Sequence, residues 1–104
     1  MMTTSLLPIE FSLETLAAFC QQNQIRRFSF FGSVLRDDFR SDSDVDCLVE
    51  FVPNAIVTLF DMGRIERELS PVLDRRKVDL HTPAELSPYI RDRVLAEALV
   101  QYGD

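Results

Sequence analysis

A chain of 104 residues with 46% hydrophobic side chains can fill one modest core, so residues 1–104 are read as a single domain and a second domain is excluded. The formal charge of −6, from 17 acidic against 11 Lys and Arg residues, repels a free duplex or an anionic membrane and argues against direct nucleic-acid or membrane partners. The N-terminal MMTTSLLPIE has no basic start, no long apolar run follows, and Cys20 and Cys47 lack metal-type spacing, so a cytoplasmic protein with two reduced core thiols is expected.

Pro8 precedes a stretch in which Leu13, Leu16, Ala17 and Cys20 recur at helical spacing behind Ser12, a residue suited to capping. The first helix is therefore expected over 13–23. Residues 25–31, rich in β-branched and aromatic side chains and closed by Gly32, read as a buried strand running into a tight turn. Ser33 is placed to cap a short helix over 34–39, and the polar run 40–43 is a loop. A second strand, 44–51, ends before Pro53 and Asn54. Leu59, Met62, Ile65, Leu69 and Val72 then give an amphipathic helix that Pro71 disturbs near its end. Residues 77–81 form a third strand with Val78 and Leu80 on one face. Pro88 begins a last helix whose stripe is Ile90, Val94, Leu95, Ala98 and Leu99, with Arg91, Asp92, Arg93 and Glu97 largely outside it. The order α-β-α-β-α-β-α, without an internal repeat, predicts an α/β (α+β) class.

Asp44 and Asp46 open a strand that continues as Cys47, Leu48 and Val49, a placement that folding does not require. Alternation projects both carboxylates to one side, about 7 Å apart along the backbone, and turns Val45 and Cys47 to the other. Brought to roughly 4 Å, two such charges repel by about 4 kcal/mol at an effective dielectric near 20. A marginally stable domain would feel that, so something positive should sit between them. One candidate is an ion pair with Arg36, Arg40 or Lys77. The other is a hard divalent cation, since Mg²⁺ takes oxygen ligands, typically one or two carboxylates plus substrate phosphates. Asp79 lies between Val78 and Leu80 and joins the same cluster if the third strand lies beside the second. Three carboxylates together suit two-metal phosphoryl or nucleotidyl transfer. Gly32 at a strand end lets a phosphate approach the backbone, and Ser33 offers a hydroxyl and helix-opening amides to an anion, although a Gly-Ser pair alone is an ordinary turn.

Gly32 and Ser33, ten residues, then Asp44 and Asp46 is a pattern that resembles the signature of the DNA polymerase β-like nucleotidyltransferase superfamily. With FGS before it, DCLVEF at its end and KVDL further on, the chain looks like a minimal nucleotidyltransferase (MNT) antitoxin, over nearly its whole length. The resemblance implies a nucleotidyltransferase fold, a small mixed β-sheet of about three strands packed with helices. It also implies a HEPN-domain ribonuclease toxin as partner and transfer of AMP from ATP to a tyrosine of that toxin, in the manner of a type VII-like toxin–antitoxin pair. Carried over, Gly32 and Ser33 hold the nucleotide, Asp44 and Asp46 bind Mg²⁺, as two ions, and Asp79 completes the triad as base or metal ligand. Many relatives follow the Gly-Ser with a small residue and Arg-Gly; this chain has Val34, Leu35, Arg36 and Asp37, so the arginine matches and the glycine does not. Arg36 therefore has two readings, a phosphate contact or a surface pair with Asp37 or Asp42.

His81, two residues past Asp79 on the same face, is read as an exposed strand-end histidine rather than a substrate contact. Phe28, Phe30 and Phe31 are read as core, and Arg75, Arg76 and Lys77 as a solvated turn with a triphosphate or a partner's acidic face as the alternative. Two other functions stay open: an antitoxin that neutralises its toxin by covering it without catalysis, and a nucleotidyltransferase acting on a small molecule. The second generally needs a further substrate domain.

Overall fold

Ser12 caps the first helix, α1 (Leu13–Gln22), its Oγ accepting from Thr15 N at 3.2 Å, and Leu16, Phe19 and Cys20 form the helix's buried face. A computed structural model describes residues 7–37 and 39–103 of the chain. Gln24, at φ +61°, turns the chain into strand β1 (Ile25–Phe31), which stops at Gly32 as the sequence predicts. A single 3-10 turn, Gly32–Leu35, follows in place of the expected helix over 34–39. Its N-cap is Phe31 and it has no side-chain cap, so Ser33 stands inside the turn rather than in front of it.

Strand β2 (Val45–Phe51) leads to helix α2 (Leu59–Leu69). Thr58 and Asp61 close a capping box there: Thr58 N donates to Asp61 Oδ2 at 2.9 Å and Asp61 N to Thr58 Oγ1 at 3.1 Å. These bonds from Thr58 hold the Asp61 carboxyl below its ordinary range. Pro71 lies in the 3-10 turn Ser70–Leu73 that ends the helix, and strand β3 (Val78–His81) comes next. A third 3-10 turn, Pro83–Glu85, precedes helix α3 (Pro88–Glu97).

The chain then departs from its sequence pattern. The stripe of the last helix was expected to run on through Ala98 and Leu99, but Ala98 is extended and Leu99–Tyr102 forms a fourth strand, β4. No residue of α3 is buried. Leu59 likewise leaves the expected apolar face of α2 and is 88% exposed, while Ile65 and Leu69 are buried.

The sheet order is β3-β2-β1-β4, with β2 and β3 parallel and the other pairs antiparallel. One face packs against α1 and α2 through Phe28, Phe30, Leu16, Ile65 and Leu69, all buried. Phe30 meets both Phe11 and Phe28 edge-on, with centroids 5.4 Å apart in each pair, so these phenylalanines are core and not a base-stacking platform. Both cysteines are free and buried. Burial pushes the Cys20 thiol up to about 12, and that of Cys47 well above its ordinary value, which leaves both inert. Among the described residues, no helix is long and apolar enough to cross a membrane.

Candidate active site

Three chain segments meet at the carboxylates. The last residue of β1, Phe31, pairs with Asp46 on β2, and Gly32 follows with φ +78°. A Cβ at Gly32 would collide with Asp46 Oδ2 and stand 3.2 Å from its Cγ, so glycine is what lets the chain turn directly over this carboxylate. On the other side, the parallel register of β2 and β3 sets Asp46 beside Asp79 and Leu48 beside His81. Val78 and Leu80 alternate into the core, which turns Asp79 and His81 together to the opposite face.

One ligand atom each from Asp46, Asp79 and His81 lie within 4.8 Å of one another. His81 Nε2 is 3.2 Å from Asp79 Oδ2, and the Phe31 ring stands edge-on to the imidazole at 5.5 Å. The third member of the close group is thus His81, set aside in the sequence as a strand-end residue; its side chain is 29% exposed. Its place two residues beyond Asp79 was the available signal. Asp44 stands one residue ahead of β2 and is not one of the three, but its charge reaches Asp46.

Burial pushes the Asp46 carboxyl above its ordinary range, and the neighbouring Asp79 carboxylate adds to the push, as Asp44 does more weakly. His81 and Arg36 act in the opposite direction. Two neighbouring carboxylates, an imidazole beside them and a side-chain-free turn above make a donor set that fits a divalent cation. Arg36 leaves the 3-10 turn exposed and extended, its N–H donating to Ser33 O at 2.9 Å. A cavity of about 340 Å³ opens there between Gly32, Leu35, Arg36 and Glu97.

Residues around the group hold it in place. Glu66 of α2 reaches across to accept from Leu80 N at 2.8 Å, which engages a free amide of the edge strand between Asp79 and His81. Arg76 donates to Arg40 O at 2.6 Å and Ser43 O at 3.2 Å and lies over the Phe39 ring at 4.5 Å. It thereby ties down the loop leading to Asp44, so of the Arg75–Lys77 cluster Arg76 at least is engaged internally. Arg91 of α3 donates to Pro83 O and Leu86 O, both at 2.8 Å, and fixes the turn after β3.

A model of the nucleotidyltransferase domain matches residues 13–100. A Methanocaldococcus jannaschii protein that carries the provisional name of protein adenylyltransferase is 39% identical over 75 residues, covering 72% of this chain and 77% of that protein. The solved structure of a provisionally named minimal nucleotidyltransferase is 35% identical with a TM-score of 0.65, over 86% of this chain and 96% of its own. The fold is also that of a complex described as a tri-AMPylated Shewanella oneidensis HEPN toxin with MNT antitoxin, at 18% identity and a TM-score of 0.63, over 88% of this chain and 70% of that one.

Proposed function

The chain belongs to the nucleotidyltransferase domain family, and from that premise we propose that it is an MNT-type antitoxin that moves AMP from ATP to a tyrosine of a HEPN ribonuclease. The observation that carries this reading is the register pairing of Asp46 with Asp79 directly beneath Gly32. The two relatives above 30% identity support it, one named as a protein adenylyltransferase and the other as a minimal nucleotidyltransferase. The AMPylated toxin complex of the same fold supports the partner and the modification.

In the proposed reaction the tyrosine oxygen attacks the α-phosphorus of ATP, an O–P bond forms, and the bond from that phosphorus to the bridging oxygen breaks to release pyrophosphate. The phenolic proton passes to a carboxylate, for which Asp79, half-exposed at 50%, is the accessible acceptor. Gly32 and Ser33 would let the triphosphate lie against backbone, and Arg36, which lines a cavity together with Gly32, would pair with a phosphate. Asp46 and Asp79, with Asp44 at the mouth of β2, would hold Mg²⁺. Bound there, the ion would neutralise phosphate charge and favour the ionised acceptor hydroxyl. The chain's own part is positioning, since the sheet fixes both carboxylates before substrate arrives.

Incubation of the protein with its HEPN partner and ATP labelled at the α-phosphate should label the partner. Asp44→Asn, Asp46→Asn and Gly32→Ala should each reduce labelling by at least about 100-fold, the scale on which misplaced positioning groups cost rate. Undiminished labelling by Asp46→Asn would refute the assignment.

A further inference from the structure

We propose that His81 is a nitrogen ligand of the cation site and shifts its preference from Mg²⁺ toward first-row transition ions such as Mn²⁺; the proposal rests on the nucleotidyltransferase reading above. A site built of carboxylates and water alone suits Mg²⁺, whereas imidazole suits transition ions and adds little for the harder one. His81 is placed to be that imidazole. Strand alternation turns it to the face of Asp79, the parallel register sets it one step beyond the Asp46 pair, and Phe31 bounds the ring on one flank. Its Nε2 and Asp79 Oδ2 are 3.2 Å apart. Neighbouring ligands of an octahedral ion about 2.1 Å away stand roughly 3 Å apart, so this spacing also accommodates two donors on one ion. Gly32 adds no side chain to the group, where a Cβ would press on Asp46.

The rival role for the same contact is a hydrogen bond from His81 that orients Asp79. An orienting bond would strengthen every cation alike, whereas a ligand strengthens Mn²⁺ selectively, and the two are separated by titrating the nucleotide-free protein with each metal. His81→Asn should weaken Mn²⁺ binding by about tenfold or more and Mg²⁺ binding by less than about threefold, both read by calorimetry. Equal loss for the two metals, or no loss for either, overturns the proposal. A second measurement does not depend on how the variant folds: pulsed electron paramagnetic resonance of Mn²⁺ on the unaltered protein should show coupling to an imidazole nitrogen, and its absence overturns the proposal. AMP transfer is scored separately. Transfer without nitrogen coupling would remove His81 alone, whereas nitrogen coupling without transfer would leave the ligand and remove the transferase reading.

Discussion

Asp46 is held where an ionised carboxylate is least comfortable, half-buried, beside Asp79 and under a turn that only glycine allows. A carboxyl whose folded-state value is raised contributes its full stability below the ordinary carboxylate range and loses it as pH climbs through the raised value. In chelator, Asp46→Asn should therefore melt close to the unaltered protein near pH 3 and a few degrees higher at neutral pH, with the gap opening between those limits. A thermal melt series across that range checks it; a neutral-pH variant that melts lower would contradict the strain assigned to this residue. The spacing of Gly32 and Ser33 from Asp44 and Asp46 marks those four from the chain alone, and Asp79 joins them only on the condition that its strand lies beside the second, the pairing of Asp46 with Asp79 that the sheet has. His81 was harder to rank, since alternation gives its face but not the lateral register that brings a neighbouring strand to it.

At the scale of elements, most of the order could be read in advance. Ser12, Gly32 and Pro88 punctuate the chain, and β1 and α1 begin where the residues say they should. The C-terminal strand could not be read this way. Ala98, Leu99 and Val100 extend the apolar spacing of α3 with no glycine or proline between, so local pattern favours helix, and the pairing of Ser29 with Val100 and Phe30 with Leu99 decides for strand instead. The stripe on α3 misled for a related reason: spacing shows that a face exists, not that anything covers it, and that helix buries none of its residues. Gly103 closes β4 at φ +86°, where a Cβ would collide with Arg26 O. Gly103→Ala should lower stability by roughly 1–3 kcal/mol, the cost of a strained backbone position, and should release β4 before the rest of the sheet. Hydrogen exchange at Leu99 to Tyr102 reads this directly, and unchanged protection there would show that β4 does not depend on that turn.

Over the whole molecule, the carboxylate group lies at an open surface, and several large apolar side chains stand clear of the core. Ile56 ahead of α2 and Leu59 and Phe60 at its start are 87–89% exposed, and Tyr89 on α3 is 95% exposed. An open site on a domain of this size gains from an acceptor that arrives already docked, which favours a protein tyrosine over a free small molecule as the proposed acceptor. The most direct measurement is the intact mass of the proposed HEPN partner after incubation with this protein, ATP and a divalent cation. A gain of one AMP or a whole multiple, absent with Asp46→Asn, is the predicted result; a partner that loses its ribonuclease activity with no gain in mass would contradict transfer and leave neutralisation by binding.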